Sequence, residues 1–202
     1  MPHAIPKNWE PSIRAFEELD QQSPPPEKPV LFVGSSSIRL WNLKKYFPGV
    51  PAINRGFGGS ELADSLRYFD RIVLPYRPKL ILLYAGDNDL ALGATADTVI
   101  ANYQAFAAKV RSQLPKTHFA FLSIKPSVAR MALWPDICQA NDAIRTHTGS
   151  DPRLHYIDLA TPMLDEHGQP RPEFFMMDGI HLSRPGYQLW TDLTIPWIEA
   201  HK

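Results

Sequence analysis

The sequence predicts a three-layer α/β/α domain with a central, mainly parallel five-stranded sheet. Apolar runs that are too short and unbroken for amphipathic helices recur along the chain, at residues 30–33, 52–53, 80–85, 119–122 and 155–157. Continuous apolar runs of this length are typical of strands covered on both faces. Stretches with helical spacing lie between them, and this alternation is the pattern of a parallel sheet with helices on both faces.

The helices are predicted from apolar residues three or four positions apart. The first is expected from about residue 11 to 21, with Pro11 in its first turn and Ser-Pro-Pro-Pro at 23–26 ending it. A last helix begins near Ser183 and Pro185 and runs to about Ala200. Three groups of residues mark further helices between these: Leu62, Leu66 and Phe69; Val99, Tyr103, Phe106 and Val110; Ile137, Ala140 and Ile144. No repeat or linker divides the chain, so one domain over residues 1–202 is expected.

Composition narrows the classes of function. Of 202 residues, 44% are apolar and 21% are charged, which suits a globular chain and excludes a disordered or collagen-like one. Lys plus Arg and Asp plus Glu each number 21, so no net field is available to hold nucleic acid or an anionic membrane. A small, roughly neutral partner is expected. The most apolar run, at 80–85, is far shorter than the ~20 residues that span a bilayer.

The cysteine count and the first residues bear on the cellular compartment. Cys138 is the single cysteine, so neither an intrachain disulfide nor a cysteine zinc cluster can form. Residues 1–20 contain no apolar core of the kind found in export signals. We therefore expect a cytoplasmic protein, or a secreted or periplasmic one if a signal has been removed from this chain.

Polar segments follow the predicted strands, where an open parallel sheet binds its ligand. Gly-Ser-Ser-Ser at 34–37 leads straight into a helix, whose N–H groups and dipole favour a nearby oxyanion, although an ordinary N-cap fits equally. The glycine-rich segment 54–60 follows the second strand. Its glycines allow a positive φ or a close ligand approach, or form an ordinary turn.

Two more segments carry groups suited to catalysis. Gly-Asp-Asn-Asp at 86–89 places an amide between two carboxylates, which costs stability unless these groups are hydrogen-bonded, functional or solvated in a turn. Asp178 stands three residues before His181, where it can orient the imidazole ring. The pair could instead bind a metal, but the other histidines lack zinc-binding spacing, so no metal is predicted. Together the four segments complete an acyl-transfer site.

These four segments resemble the ordered blocks of the GDSL hydrolases, also called the SGNH hydrolase superfamily, from residue 30 to the final helix. The resemblance implies Ser36 as the nucleophile and Asp178 and His181 as acid and base. It implies an oxyanion hole formed by the N–H groups of Ser36 and Gly59 and the side-chain amide of Asn88. The implied fold is a flavodoxin-like three-layer sandwich.

The first block departs from the family pattern. Where the family has Asp-Ser-Leu after the glycine, this chain has Ser35, Ser36 and Ser37, which resembles a serine-rich variant of bacterial members. Ser36 is favoured because Gly34 and Ser35 occupy the places of Gly-Asp, and Ser35 and Ser37 are the alternatives. The elbow Gly-x-Ser-x-Gly of the α/β-hydrolases is absent.

The resemblance implies a serine esterase that cleaves small-molecule carboxylic esters with short, acetyl-type acyl groups through an acyl-enzyme, without a cofactor. One alternative is an acyltransferase that uses the same site. Another is a non-catalytic module that binds phosphate at residues 34–37. Apolar side chains that could line an acyl pocket, or simply pack in the core, are Phe57, Met131, Leu133, Trp134, Phe174, Phe175, Met176 and Met177.

Overall fold

The computed structural model describes residues 8–202, so the first seven residues of the segment considered for an export signal, with His3, lie outside the described residues. The central sheet contains β1 (Val30–Gly34), β2 (Ala52–Gly56), β3 (Leu80–Tyr84), β4 (His118–Leu122) and β5 (Leu154–Ile157). Their order is β2-β1-β3-β4-β5, and every neighbouring pair is parallel. The predicted α/β fold is confirmed, with a sheet that is parallel throughout. This is the flavodoxin-like doubly wound order, whose ligand crevice lies beyond the ends of β1 and β3.

The central strands are apolar throughout because both of their faces are covered. Both β1 and β3 are buried along their whole length. In β1, Leu31 and Val33 belong to one apolar cluster, whereas Val30 and Phe32 belong to another. Successive side chains of a strand point to opposite faces, so the two clusters are the two sides of the sheet.

The helices form the outer layers. Ile13, Val99 and Ile137 pack in the first cluster, and Tyr46 and Trp190 pack in the second. The described α-helices are α1 (Glu10–Gln22), α2 (Ser36–Arg39), α3 (Leu43–Tyr46), α4 (Leu62–Arg67), α5 (Phe69–Ile72), α6 (Asp87–Ala91), α7 (Ala96–Gln113), α8 (Trp134–Thr148) and α9 (Arg184–His201). None of them is long and apolar enough to cross a membrane.

The structure differs from the sequence prediction in four short helices. The single helix expected around residues 62–69 is divided into α4 and α5, with Tyr68 (φ −93°, ψ 7°) between them. A capping box of Glu61 and Asp64 fixes the start of α4. Helix α3 was not predicted. Residues 86–89, for which a solvated turn was one alternative, instead open α6, where acidic residues in the first turn complement the helix dipole.

Candidate active site

The end of β1 presents one of the three adjacent serines to the site. Gly34 has φ +138°, and a Cβ there would lie 1.8 Å from the carbonyl oxygen of Tyr84, so only glycine fits. Ser35 and Ser37 are buried, at 1% and 2% exposure, whereas Ser36 is partly exposed as the first residue of α2. Of the three serines, therefore, Ser36 is the one placed for attack on a ligand.

Asp178, His181 and Ser36 form a continuous chain of hydrogen bonds. The Nε2 atom of His181 lies 3.1 Å from Ser36 Oγ, and its Nδ1 atom lies 2.6 Å from Asp178 Oδ2. Asp178 Oδ1 also accepts the backbone N–H groups of Ile180 and His181, each at 2.9 Å. The hydrogen bond from His181, followed by that from Ile180, lowers the pKa of Asp178 to about 2. An ionised Asp178 therefore holds the ring with Nδ1–H towards itself and Nε2 towards the serine.

The last helix and the second strand fix the position of the serine. Tyr187 of α9, six residues after His181, donates its hydroxyl hydrogen to the carbonyl of Ser37 at 2.9 Å. Asn54 of β2 donates its amide to the carbonyls of Ile38 and Trp41, which brackets the end of α2. These contacts hold the segment of Ser36 close to the segment of His181, although the two lie far apart in the chain.

The glycine-rich loop after β2 packs against the serine helix. A Cβ on Gly56 would lie 2.3 Å from the backbone nitrogen of Arg39, so α2 approaches the loop closely. Gly59 has φ +80°, as the prediction of positive φ allowed. The next residue, Ser60, donates its hydroxyl to the carbonyls of Phe57 and, more weakly, Gly34. Gly59 is thereby placed beside the end of β1.

Asn88 is held by hydrogen bonds at both ends of its amide. Its Nδ2 atom donates to the carbonyl of Ser60 at 3.0 Å, and its Oδ1 atom accepts from Arg130 Nη1 at 3.2 Å. Arg130 also donates to the backbone carbonyl of Asp87 at 3.1 Å. Because Arg130 occupies the Oδ1 side, the amide N–H groups point towards the Gly59 loop. The sequence analysis missed Arg130, since no local pattern connects it to a residue 42 positions away.

The two carboxylates beside Asn88 have structural partners. Asp87 pairs with the fully buried Lys125 at 2.9 Å, and Lys125 also donates to the Tyr84 hydroxyl. Burial alone would raise the pKa of Asp87, but the charges of Lys125 and Arg130 outweigh it and lower that pKa. Asp89 accepts the N–H of Leu62, and burial raises its pKa to about 7. Both groups are therefore hydrogen-bonded rather than solvated.

The residues proposed as pocket walls range from buried to fully exposed. Phe57, Phe174 and Phe175 are buried in the apolar clusters, and Leu133 and Trp134 pack against one of them. Met131 is only partly buried. Met176 and Met177 are exposed next to the Asp178 turn. Exposed Val128 also borders it, since the neighbouring Ala129 N–H donates to the Gly179 carbonyl. The apolar surface at the site is therefore Val128, Met176 and Met177.

Asp178 and His181 do not belong to a close group of three or more metal-ligating side chains among the described residues. Within residues 8–202, the one close group of three or more His, Cys, Asp or Glu side chains comprises His118, His155 and His201. These residues lie at the opposite ends of β4 and β5 from the serine. Asp178 and His181 therefore lack the further ligands that a zinc site would need.

Solved structures with the same fold cover nearly the whole chain. A protein from Streptococcus pneumonia, provisionally named a platelet activating factor, is 23% identical with a TM-score of 0.84, over 94% of this chain and 92% of that one. A candidate acylhydrolase from Bacteroides fragilis is 19% identical with a TM-score of 0.82, over 96% and 98%. A GDSL-like lipase from Bacteroides thetaiotaomicron is 22% identical with a TM-score of 0.80, over 93% and 97%. At these identities the likeness shows the fold.

The family is shown by a sequence comparison. No curated protein matches the chain. The model of the GDSL-like lipase/acylhydrolase family, by contrast, matches residues 39–189, a span that begins just after Ser36 and contains Gly59, Asn88, Asp178 and His181. This span is well over half of the 202 residues, so the chain belongs to the GDSL-like lipase/acylhydrolase family and is an ester hydrolase.

Proposed function

We propose that the protein hydrolyses small carboxylic esters with short, acetyl-type acyl groups through an acyl-enzyme on Ser36. The observation that carries this proposal is the unbroken hydrogen-bond chain from Ser36 Oγ through the two ring nitrogens of His181 to Asp178. A hydroxyl is a weak nucleophile unless a base accepts its proton as it attacks. A module that only bound phosphate would not need this chain of hydrogen bonds.

The reaction proceeds in two halves. Ser36 Oγ attacks the ester carbonyl carbon while His181 Nε2 takes the hydroxyl proton, and the carbonyl electron pair moves to its oxygen. His181 then gives that proton to the leaving alcohol oxygen as the C–O bond breaks. Water attacks the acyl-enzyme in the second half, losing a proton to His181, and Ser36 leaves with that proton. Asp178, ionised because its pKa is about 2, stabilises the charged ring throughout.

Three donors are proposed to stabilise the oxyanion. Ser36 opens α2, where backbone N–H groups have no carbonyl partner within the helix. Gly59 supplies a second N–H from the loop against β1, and Asn88 supplies its amide. Because Ser60 and Arg130 hold this amide before substrate arrives, the donor needs no reorganisation during the reaction.

Two features support short acyl groups and water as the acceptor. The bulky candidates for an acyl channel, Phe57, Phe174 and Phe175, are core residues, which leaves the half-buried and exposed candidates to contact an acyl group. The side chains of His181 and Asp178 are 32% and 45% exposed, so water reaches the base directly. This access favours hydrolysis over transfer to a second alcohol.

Labelling of the native protein by a fluorophosphonate probe, mapped by mass spectrometry, tests the nucleophile. We expect stoichiometric label on Ser36, suppressed in His181→Ala and unchanged in Ser112→Ala, a control at an exposed serine. Label on Ser35 or Ser37, or none on a folded sample, would contradict the assignment. Rates with p-nitrophenyl esters of increasing length test the acyl preference, and a maximum at long chains would refute it.

A further inference from the structure

Three histidines meet at the edge of the sheet farthest from the serine. His118 is the first residue of β4, His155 lies in β5, and His201 ends α9. His155 pairs in register with Ala120, two residues after His118, so both rings project from the same face of the sheet. That face is the one covered by α9, because Ala120 packs in the cluster that also contains Trp190. The topology therefore brings the three rings together.

The ring nitrogens of these residues converge. His118 Nδ1 and His155 Nε2 are 3.0 Å apart, and one ligand atom from each of the three rings lies within 4.8 Å of the others. The ring centroids of His201 lie 4.8 Å and 4.6 Å from those of His118 and His155. Zinc–nitrogen bonds of about 2.0–2.1 Å in a tetrahedron place ligand nitrogens roughly 3.4 Å apart. Binding thus requires the His118 and His155 nitrogens to move slightly apart and the His201 ring to move closer to them.

The hydrogen bonds of the three rings indicate which ring nitrogens keep a lone pair for a metal ion. His201 Nδ1 is 2.7 Å from the carbonyl oxygen of Trp197, so Nδ1 carries the hydrogen and Nε2 keeps its lone pair. A backbone carbonyl is a common partner for the second nitrogen of a metal-binding histidine. The His118 and His155 nitrogens share one hydrogen. If the ring that carries it shifts to its other tautomer, both nitrogens can bind a metal ion.

The charge around the rings selects the class of ion. Lys79, Arg111 and Arg153 lie near His118, and the nearby Asp151 is paired with Arg111. With no free carboxylate in the set, magnesium and calcium are disfavoured, whereas imidazole nitrogens suit zinc and its neighbours in the first transition row.

From this geometry we propose that His118, His155 and His201 bind one divalent transition-metal ion of the zinc type, with water completing a tetrahedral site. Helix α9 starts three residues after His181 and has 18 residues, which corresponds to about 27 Å. The site is therefore remote from the serine and does not depend on the proposed ester chemistry. The ion would link the end of α9 to β4 and to the edge strand β5.

Zinc titration of the tag-free full chain, stripped beforehand with a chelator, tests the site by calorimetry and metal analysis. We expect one equivalent per chain, a rise in melting temperature with zinc, and a loss of affinity of more than about tenfold in His201→Ala and His155→Gln. His167→Ala is the matched control, because His167 is an exposed histidine outside the cluster, and it should bind zinc like the parent.

Circular dichroism of the metal-free variants separates lost binding from lost folding, and His201→Ala, at a helix end, is the milder change. The proposal is overturned if the parent takes up no zinc, or if His201→Ala and His155→Gln bind it as tightly as His167→Ala. It is also overturned if uptake disappears in Asp178→Asn, which would place the ion at the catalytic pair. Ester hydrolysis by His201→Ala should equal that of the parent.

Discussion

Replacing Asn88 by alanine tests whether its side-chain amide stabilises the transition state or only the folded structure. The change removes a candidate oxyanion donor and two hydrogen bonds, to the Ser60 carbonyl and from Arg130. An oxyanion donor contributes about 2.7–4 kcal/mol to the transition state, so turnover should fall about 100- to 1000-fold with little change in KM. The loss of these two hydrogen bonds alone, one of them from the charged Arg130 guanidinium, would instead cost about 2–4 kcal/mol of stability and leave turnover intact.

Steady-state hydrolysis of p-nitrophenyl acetate and thermal denaturation measure the two effects separately. Asn88→Asp is an informative companion, because it keeps the shape but places acceptor oxygens where donors are needed, and it should lose at least as much turnover as Asn88→Ala. A well-folded Asn88→Ala variant with turnover within about threefold of the parent would refute the oxyanion role. Asn141→Ala cannot serve as a control for the loss of an asparagine amide. The Asn141 side chain is hydrogen-bonded to both the backbone N–H and the carbonyl of the buried Ile124, so its removal would leave these groups without a partner.

The remaining predictions concern the residues around Asn88. Arg130→Ala should lower turnover about tenfold and be partly rescued by Arg130→Lys, because Arg130 acts by orienting the Asn88 amide; equal turnover in all three proteins would exclude this. Burial raises the pKa of Asp89 to about 7, so the folded state holds its proton more tightly and stability should fall as pH rises from about 4 to 7. Asp89→Asn should therefore melt about 8–16 °C higher at pH 8 but not at pH 4, a difference of ~4 kcal/mol that scanning calorimetry would detect. Lys125→Ala should cost up to about 3–5 kcal/mol in denaturant unfolding, because it leaves the buried Asp87 with only the longer ion pair to Arg130 at 3.4 Å, and the double variant with Asp87→Asn should cost less than the sum of the two single changes.

The strands and the positions of the candidate site segments were predictable because their signals are local. A buried parallel strand must be apolar on both faces, so β1 and β3 stand out in the sequence as continuous runs. The four polar segments can be recognised because each directly follows a strand or precedes α9. The sequence already favoured Ser36 over its neighbours, but the burial of Ser35 and Ser37 depends on how α2 packs and is seen only in the structure.

Other features depend on contacts between distant parts of the chain. Arg130 lies in a short 3-10 helix, Val128–Leu133, whose apolar residues suggested a pocket wall, and its contact with Asn88 exists only because this helix packs against α6. His118 and His155 are 37 positions apart, so no spacing rule for zinc ligands detects them. The break between α4 and α5 is invisible to periodicity, because Leu62, Leu66 and Phe69 keep helical spacing across it.

The separation of Ser36 from His181 has a consequence for synthesis of the protein. The two residues are 145 positions apart, and His181 lies in the turn before the last helix. At a translation rate of about 5–20 residues per second, Ser36 is therefore made roughly 7–30 seconds before His181. Throughout that interval the nascent chain carries the serine hydroxyl without its hydrogen-bond partner. On the proposed mechanism, a chain that ends before residue 181 lacks the base and cannot activate Ser36.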